Sequence, residues 1–432
     1  MANLHDKDTN DPEALAAAIE DFLRTAHRPA AMDFGENAVE LAPGTYLLEN
    51  RGGRVWIEYW CEKRGISRRV LSIEKKSACS LACTVQRFGG KTGTLHFLDL
   101  DRPQTAHKAL AGTRRSFAER FRQMLCRQFS GWEVQSVSSA MDLRRSFSPL
   151  FPRAQLRRGN RQIAAMACPS AQQEPELLSF ALIWFAYVAG RGRAGAETSL
   201  ALFLPDGAGN LTAHRLHWLR GSLLRPVLFR YNEHGSAGEV DPRDLGNLKT
   251  KLGPRLAEQI ERPESAVVPQ AFPERRLEQQ VRSHVSAVDA SLLPEPVHGQ
   301  VITFAAGDRD LIDLLAVDTR GRLAVIELKA SEDVHLPIQA LDYWMRVRWH
   351  AEREELGHLF PGLSLDRKPP RLLLIAPAIS FHSSNATVLG YFSPEIEVER
   401  VGVNCEWPER FQVVLRLQGA EAPQSHRRFT CT

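Results

Sequence analysis

Apolar and polar positions change their rhythm several times along the chain. Residues 11–25 (DPEALAAAIEDFLRT) carry apolar side chains at helical spacing behind an Asp-Pro entrance, which predicts one helix from Asp11 to Thr25. From about Ala38 to Leu100 the pattern becomes short β-rich runs, GTYLLEN, RVWIEYWCE, RRVLSIE, LACTVQRF and GTLHFLDL, with turns at NRGG and FGGKTG. That alternation predicts an antiparallel meander. Leu110, Phe117, Phe121 and Leu125 then mark one face of a helix from Gln104 to Phe129. Strands follow at WEVQSV, around RAQLRRGNRQIAAMAC, at TSLALFLP and at RPVLFRY, with a helix through PELLSFALIWFAYV among them.

ERPESAVVPQAFPE, with prolines at 263, 269 and 273, reads as a linker. Beyond it the pattern predicts a helix from Glu274 to Ala290, strands QVITFAA, LIDLLAVD and LAVIELKA, a helix from Pro337 to Glu355, and strand RLLLIAPAI. EIEVERVGV and FQVVLRLQG add two strands. The order α-β-β-β-α-β predicts a mixed sheet with helices on both faces, so the fold class is α/β within an α+β multidomain chain. The expected divisions are a tail and helix (1–30), a β-rich domain (31–101), an α/β domain (102–260), the linker (261–273) and a C-terminal α/β domain (274–432).

With 432 residues the chain can hold two or three cores. A net charge of +4 permits a nucleic-acid partner without requiring one. Seven cysteines, an odd number without zinc-finger rhythm, read as reduced thiols. The start of the chain has no signal pattern and the longest apolar run is too short for a bilayer, so a cytoplasmic protein with no membrane partner is expected. GGKT at 89–92 lacks the earlier glycine and the following helix of a phosphate loop, and reads as a hairpin turn.

Three charges interrupt LIDLLAVD and LAVIELKA. If the two strings are antiparallel strands closed by Thr319-Arg320-Gly321, with Gly321 in the left-handed position, Asp313 lies opposite Glu327. Alternation then places Lys329 on the face of Glu327. Charges in strands apolar on both faces are costly unless paired or metal-bound, so the cluster predicts a functional site. On the next helix Gln339, Tyr343, Arg346 and His350 fall on one face. His350 reads as a packing residue there, and Tyr343 fits a core role as well as a functional one.

These residues resemble the PD-(D/E)XK nuclease superfamily, the restriction-endonuclease-like fold, over about residues 274–380. Asp313 stands at the family's first metal carboxylate, and Glu327-Leu328-Lys329 matches its E-x-K triplet. Gln339 and Tyr343 match the Q-x3-Y signature of the RecB-type branch, and DLLAVD…GRLAVIELK is similar to the catalytic domain of NucS-type endonucleases. The resemblance implies Mg2+ (or Mn2+) held by Asp313, Glu327 and the Leu328 carbonyl, a preference such hard cations share generally. It further implies that Lys329 orients or helps deprotonate the attacking water, and that Gln339 and Tyr343 reach the metal's water or the scissile phosphate. The family often adds an acid from the first helix, here Glu278 ahead of Glu274.

The middle region runs through the same order of elements. SFALIWFAYV resembles PIQALDYWMRV and RGNRQIAAMACPS resembles RGRLAVIELKA, which would set Phe180 and Trp184 at Gln339 and Tyr343, and Cys168 and Ser170 at the glutamate and lysine. Either this is a degenerate PD-(D/E)XK-like copy, or an ordinary α/β domain with similar wording. Between Asp142 and Glu174 no acid occurs, while Arg144, Arg145, Arg153, Arg157, Arg158 and Arg161 are interleaved with Phe147 and Phe151. Such arginines can line a phosphate backbone with aromatics for base stacking, and a solvated basic face is the alternative. Arg346 is grouped with them as a nucleic-acid contact.

The expected function is that of a metal-dependent nuclease hydrolysing phosphodiester bonds, of DNA rather than RNA by family analogy, in DNA repair or in defence against foreign DNA. The alternative is a non-catalytic nucleic-acid-binding or scaffold protein that keeps the fold. Oligomeric state is left open, a homo-oligomer included.

Overall fold

The computed structural model describes residues 11–33, 39–42, 44–50, 52–61, 64–77, 80–86, 92–101, 117–140, 142–192, 195–232, 234–242, 255–256, 273–305 and 308–421. The chain divides into two compact units, Met1–Glu119 and Arg120–Thr432.

In the first unit Asp11 caps helix α1 (Pro12–Thr25), its carboxylate accepting the Glu13 N–H at 3.2 Å. Seven strands follow: β1 (Pro29–Asp33), β2 (Val39–Glu40), β3 (Tyr46–Asn50), β4 (Val55–Cys61), β5 (Arg64–Lys76), β6 (Ser80–Gln86) and β7 (Thr92–Asp99). They form one antiparallel sheet in the order β2-β1-β7-β6-β5-β4-β3. Leu15, Ile19, Phe22 and Leu23 of α1 share a buried cluster with Ile57, Tyr59, Leu81 and Phe97. The helix expected to form a separate tail is therefore part of the sheet's own core, because its apolar stripe has no other cover. Residues 87–91 of the glycine-rich turn lie outside the described residues, and their flanks Gln86 and Thr92 pair antiparallel.

The second unit contains the same arrangement twice. Its first half comprises α2 (residues 117–128, of which 120 onward belong here), β8 (Glu133–Ser138), β9 (Arg153–Arg158), β10 (Arg161–Ala167), α3 (Glu174–Gly190), β11 (Glu197–Pro205), α4 (Asn210–His217), α5 (Gly221–Leu224), β12 (Val227–Tyr231) and β13 (Ala237–Val240). After β14 (Arg255–Leu256), its second half comprises α6 (Pro273–Ser283), α7 (Val285–Val288), β15 (His298–Ala305), β16 (Asp308–Val317), β17 (Leu323–Leu328), α8 (Leu336–Ala351), β18 (Arg371–Pro377), α9 (Asn385–Leu389), β19 (Val398–Val403) and β20 (Val413–Gln418). The sheets run β13-β12-β11-β10-β9-β8 and β14-β15-β16-β17-β18-β19-β20. In each, three antiparallel strands lead through a helix to two parallel ones and end on an antiparallel edge. The architecture is mixed α/β, and no helix among the described residues is long and apolar enough to cross a membrane.

Alternation assigns the faces. Leu315, Val317, Leu323 and Val325 pack with Leu341 and Trp344 of α8, while Leu314, Ala316, Ala324 and Ile326 pack with Leu277 and Val281 of α6. In the first half Leu200, Leu202 and Leu204 pack with α3. Its opposite face is covered by α2, whose Phe121 meets Phe203 edge-on at 5.4 Å. Residues 104–116 of the helix expected before β8, and 261–272 of the expected linker, lie outside the described residues. The helix expected over 274–290 breaks at His284 into α6 and α7, and α8 ends at Ala351, before the left-handed Glu354 (φ 59°).

The two halves meet through equivalent parts. α3 and α8 share one apolar cluster, and the segments that follow α4 and α9 pair antiparallel at Leu219 and Phe392. The Arg220 N–H donates to Tyr391 O and the Ser393 N–H to Trp218 O, both at 2.8 Å. Like meeting like in opposite directions is the signature of a two-fold interface, here within one chain. Arg215 of α4, 1% exposed, clamps Asp342 of α8 with bonds of 2.8 and 2.6 Å. Removing one partner of such a pair strands the other charge in the interior. Asp342→Ala is expected to lower stability to urea by about 3–5 kcal/mol, with most of it restored by Arg215→Met combined with Asp342→Leu.

Candidate functional site

The β16–β17 hairpin has the loop expected of it. The Asp318 N–H donates to Arg322 O and the Gly321 N–H to Asp318 O, each at 2.9 Å. Gly321 has φ 84°, and a Cβ there would lie 2.1 Å from Ser364 O, so both backbone and neighbour require glycine. The pairing of Leu314 with Ile326 continues one step to set Asp313 opposite Glu327. Lys329 gives its N–H to Ile375 O of β18 at 2.9 Å, while Leu328 gives its N–H to Asp313 Oδ2 at 3.0 Å. The backbone of Glu327 therefore turns to β18, and Asp313 and Glu327 form a non-hydrogen-bonded pair, the type in which side chains approach most closely. Leu328 turns to β16, and in a strand its carbonyl points the same way as its amide.

Lys329 Nζ lies 3.4 Å from Glu327 Oε1. Glu327 is 1% exposed, and its Oε2 has no hydrogen-bond partner. Burial, reinforced by the Asp313 carboxylate, pushes the Glu327 carboxyl well above its usual range, and Lys329 offsets only part of this. Burial alone would lower the Lys329 ammonium, but the carboxylates of Glu327, Glu274, Asp313 and Asp333 outweigh it and hold the lysine charged.

Of the two α6 acids, it is Glu274 whose charge acts on Lys329. Glu278 Oε1 instead lies 2.8 Å from where Gly299 of β15 would carry a Cβ. The sequence ranked them the other way, since nothing in RRLEQQVRSH shows which of its acids comes near the lysine. Asp333 lies in the loop after the triplet and carries no sequence motif. It is buried, and it accepts the His335 N–H at 2.8 Å just ahead of α8.

The polar stripe on α8 does not face solvent. Tyr343, Arg346 and His350 are buried, because α8 is covered by its own sheet and by α3 and α4. Arg346 sits beside the Tyr343 ring (5.8 Å) and its charge reaches His214 of α4, so it is not a surface contact for nucleic acid. His350 bonds Glu355 at 2.6 Å and burial lowers its pKa, in keeping with a packing role. Gln339, in the first turn of α8, keeps a buried Oε1 without a hydrogen-bond partner.

In the first half Arg144, Arg145, Arg158 and Arg161 are exposed and Arg157 is half-buried. Arg153, Phe147 and Phe151 are buried, which removes Arg153 from a basic surface and both rings from base stacking there. Ala167 pairs with Phe203, and the Cys168 N–H donates to Phe203 O just as Lys329 does to Ile375 O. By this register Cys168 stands at Lys329 and Met166 at Glu327, two residues off the alignment read from the lettering, which had put Cys168 at the glutamate and Ser170 at the lysine. Met166 faces Arg153, which thus occupies the place of Asp313. Hydrogen bonds to β11 set that register, and the sequence does not display them.

Among the described residues no three acid, imidazole or thiolate groups form a ready-made metal set. Asp313 and Glu327 do offer two facing carboxylates, and a buried Glu327 Oε2 without a hydrogen-bond partner is an oxygen donor that could take a divalent cation. Oxygen donors of this number suit magnesium or manganese, which complete their shells with water and substrate oxygens. The chain matches no family model, no curated protein and no solved structure, so the assignment rests on its own residues.

A carboxyl raised above its usual 4.5 favours the protonated native state, so that contribution to stability is complete below about pH 4.5 and is lost as pH climbs toward the raised value. A bound cation takes the proton's place. Magnesium at a hundred times its dissociation constant should add about 2.7 kcal/mol, and its effect on Tm should be larger at pH 8 than at pH 6. In Glu327→Gln both the metal response and this pH slope should shrink, which thermal melts with magnesium or EDTA will read.

Proposed function

We propose that the second half of the Arg120–Thr432 unit is a metal-dependent nuclease of the PD-(D/E)XK type, with a restriction-endonuclease-like core. The observation that carries this reading is the facing pair Asp313–Glu327 beside a charged Lys329, with a buried Glu327 oxygen lacking any hydrogen-bond partner. The first half supports it, since it keeps the same topology with Arg153, Met166 and Cys168 at those positions. The fold therefore does not need the three charges, and in the second half they serve chemistry.

Magnesium held by Asp313 and Glu327, with the Leu328 carbonyl facing the same side, would supply charge neutralisation and an activated water. Lys329, kept protonated by the surrounding carboxylates, acts as a charged donor rather than as a base. It orients the attacking water and stabilises the negative charge that builds on the phosphorus oxygens. Glu274 and Asp333 hold that ammonium in its charged form. Gln339 Oε1 is a buried acceptor without a hydrogen-bond partner, and the resemblance would assign it to the same water.

DNA is the proposed substrate, by family resemblance, and the exposed Arg158 and Arg161 with Arg157 form a basic hairpin suited to backbone phosphates. The reading is tested with purified protein and linear, circular and single-stranded DNA, with and without magnesium. Cleavage should need the metal and fall about a hundredfold or more in Asp313→Ala and in Lys329→Ala. Cleavage that survives both substitutions would refute the site. Replacing Arg157 and Arg158 together with alanine should weaken DNA binding and flatten its dependence on salt.

A further inference from the structure

On its α3 face, the first half of the second unit holds an open cleft of about 320 Å³ between β8, β9 and the end of α3. Arg145, Arg153 and Arg191 line it, with Phe147, Trp184 and Tyr187 as its aromatic wall. Arg153 stands at the strand position that Asp313 holds in the second half, so the charge there is inverted.

Arg153 is 5% exposed, and its guanidinium donates to the carbonyls of Ala140 at 2.6 Å and Ser148 at 3.4 Å. It also lies over the Phe147 ring at 4.4 Å. Among the described residues no carboxylate lies within ion-pairing distance of it, and Asp142 is engaged with Arg145 at 2.7 Å. Burial lowers the pKa of the Arg153 guanidinium and Asp142 offsets this only through space, so no carboxylate bonds the buried charge directly. Arg145 and Arg191 each lie over the Tyr187 ring, at 5.3 and 5.2 Å, and Tyr187 stacks on Trp184 with centroids 5.4 Å apart. Three guanidiniums against one carboxylate leave the cleft positive.

We infer that this cleft binds the phosphate of a nucleotide, either free or at the end of a strand, with Arg153 at its base and Arg145 and Arg191 at its rim. Guanidinium forks match phosphate oxygens in pairs, and the half-buried Tyr187, with Arg145 and Arg191 against its ring, edges the rim where the rest of the nucleotide would lie. Where the second half sets two carboxylates for a cation, the first sets an arginine opposite a methionine and so takes the anion directly. The inference holds whether or not the second half cuts.

The test is calorimetric titration of the full chain in EDTA and phosphate-free buffer. The probes are inorganic phosphate, a nucleoside 5′-monophosphate and a short 5′-phosphorylated single strand. Nucleotide or strand should bind, the tighter of the two identifying the source, and inorganic phosphate should compete. Arg191→Ala at the exposed rim and the volume-filling Arg153→Met should each weaken binding about tenfold or more. If Arg153→Met fails to fold, Arg191→Ala still decides. Binding of inorganic phosphate alone, no binding of any probe, or binding unchanged in Arg191→Ala would overturn the inference.

Discussion

A carboxylate buried inside a sheet must find a counter-charge, and the second half of the large unit is organised around that constraint. Glu327 is enclosed on a strand that has neighbours on both sides, faces a second acid, and has one lysine within reach. The lysine offsets part of the cost, and burial with Asp313 still leaves the carboxyl far above its usual range. The remaining imbalance is electrostatic, and a proton on Glu327, or a cation in its place, is what removes it. Burial is therefore what sets the Glu327 carboxyl apart from an ordinary surface glutamate.

The same strand positions in the first half meet the constraint differently. Met166 removes one charge and Arg153 reverses the other, so that half has no facing pair of carboxylates. Apart from the extra edge strand β14, its sheet nevertheless has the same strand order and senses, which separates what the fold requires from what the site requires. Both halves need apolar faces on alternate residues and a helix across each face. Only one of them needs three ionisable groups at the end of its central strands.

The joint between the halves explains why α8 carries polar residues yet is covered. A surface helix would turn Asp342, Arg346 and His350 to water. Here the apolar cluster between α3 and α8 encloses them, and Arg215 from α4 takes up Asp342. The joint thus spends polar groups on fixing one helix against another, a role to which the Arg–carboxylate fork is well suited.

Strand lettering, the three-residue turn and the alternation rule were enough to place Asp313, Glu327 and Lys329 on one face, because all three depend on local geometry with a period of two. The α3 and α8 helices were legible as long apolar runs and most strands by their alternation, whereas β1, β2, β13 and β14 and the short α4 and α9 were too brief or too weakly patterned to read. Three things were settled only by tertiary structure. Which α6 acid serves Lys329 depends on where that helix lies across the sheet. The burial of Arg153, Arg346 and the two phenylalanines depends on which neighbours cover them. The register that sets Arg153 at the place of Asp313 depends on hydrogen bonds between strands some forty residues apart. Local periodicity determines which face a side chain takes, and only the packed chain decides what lies opposite that face.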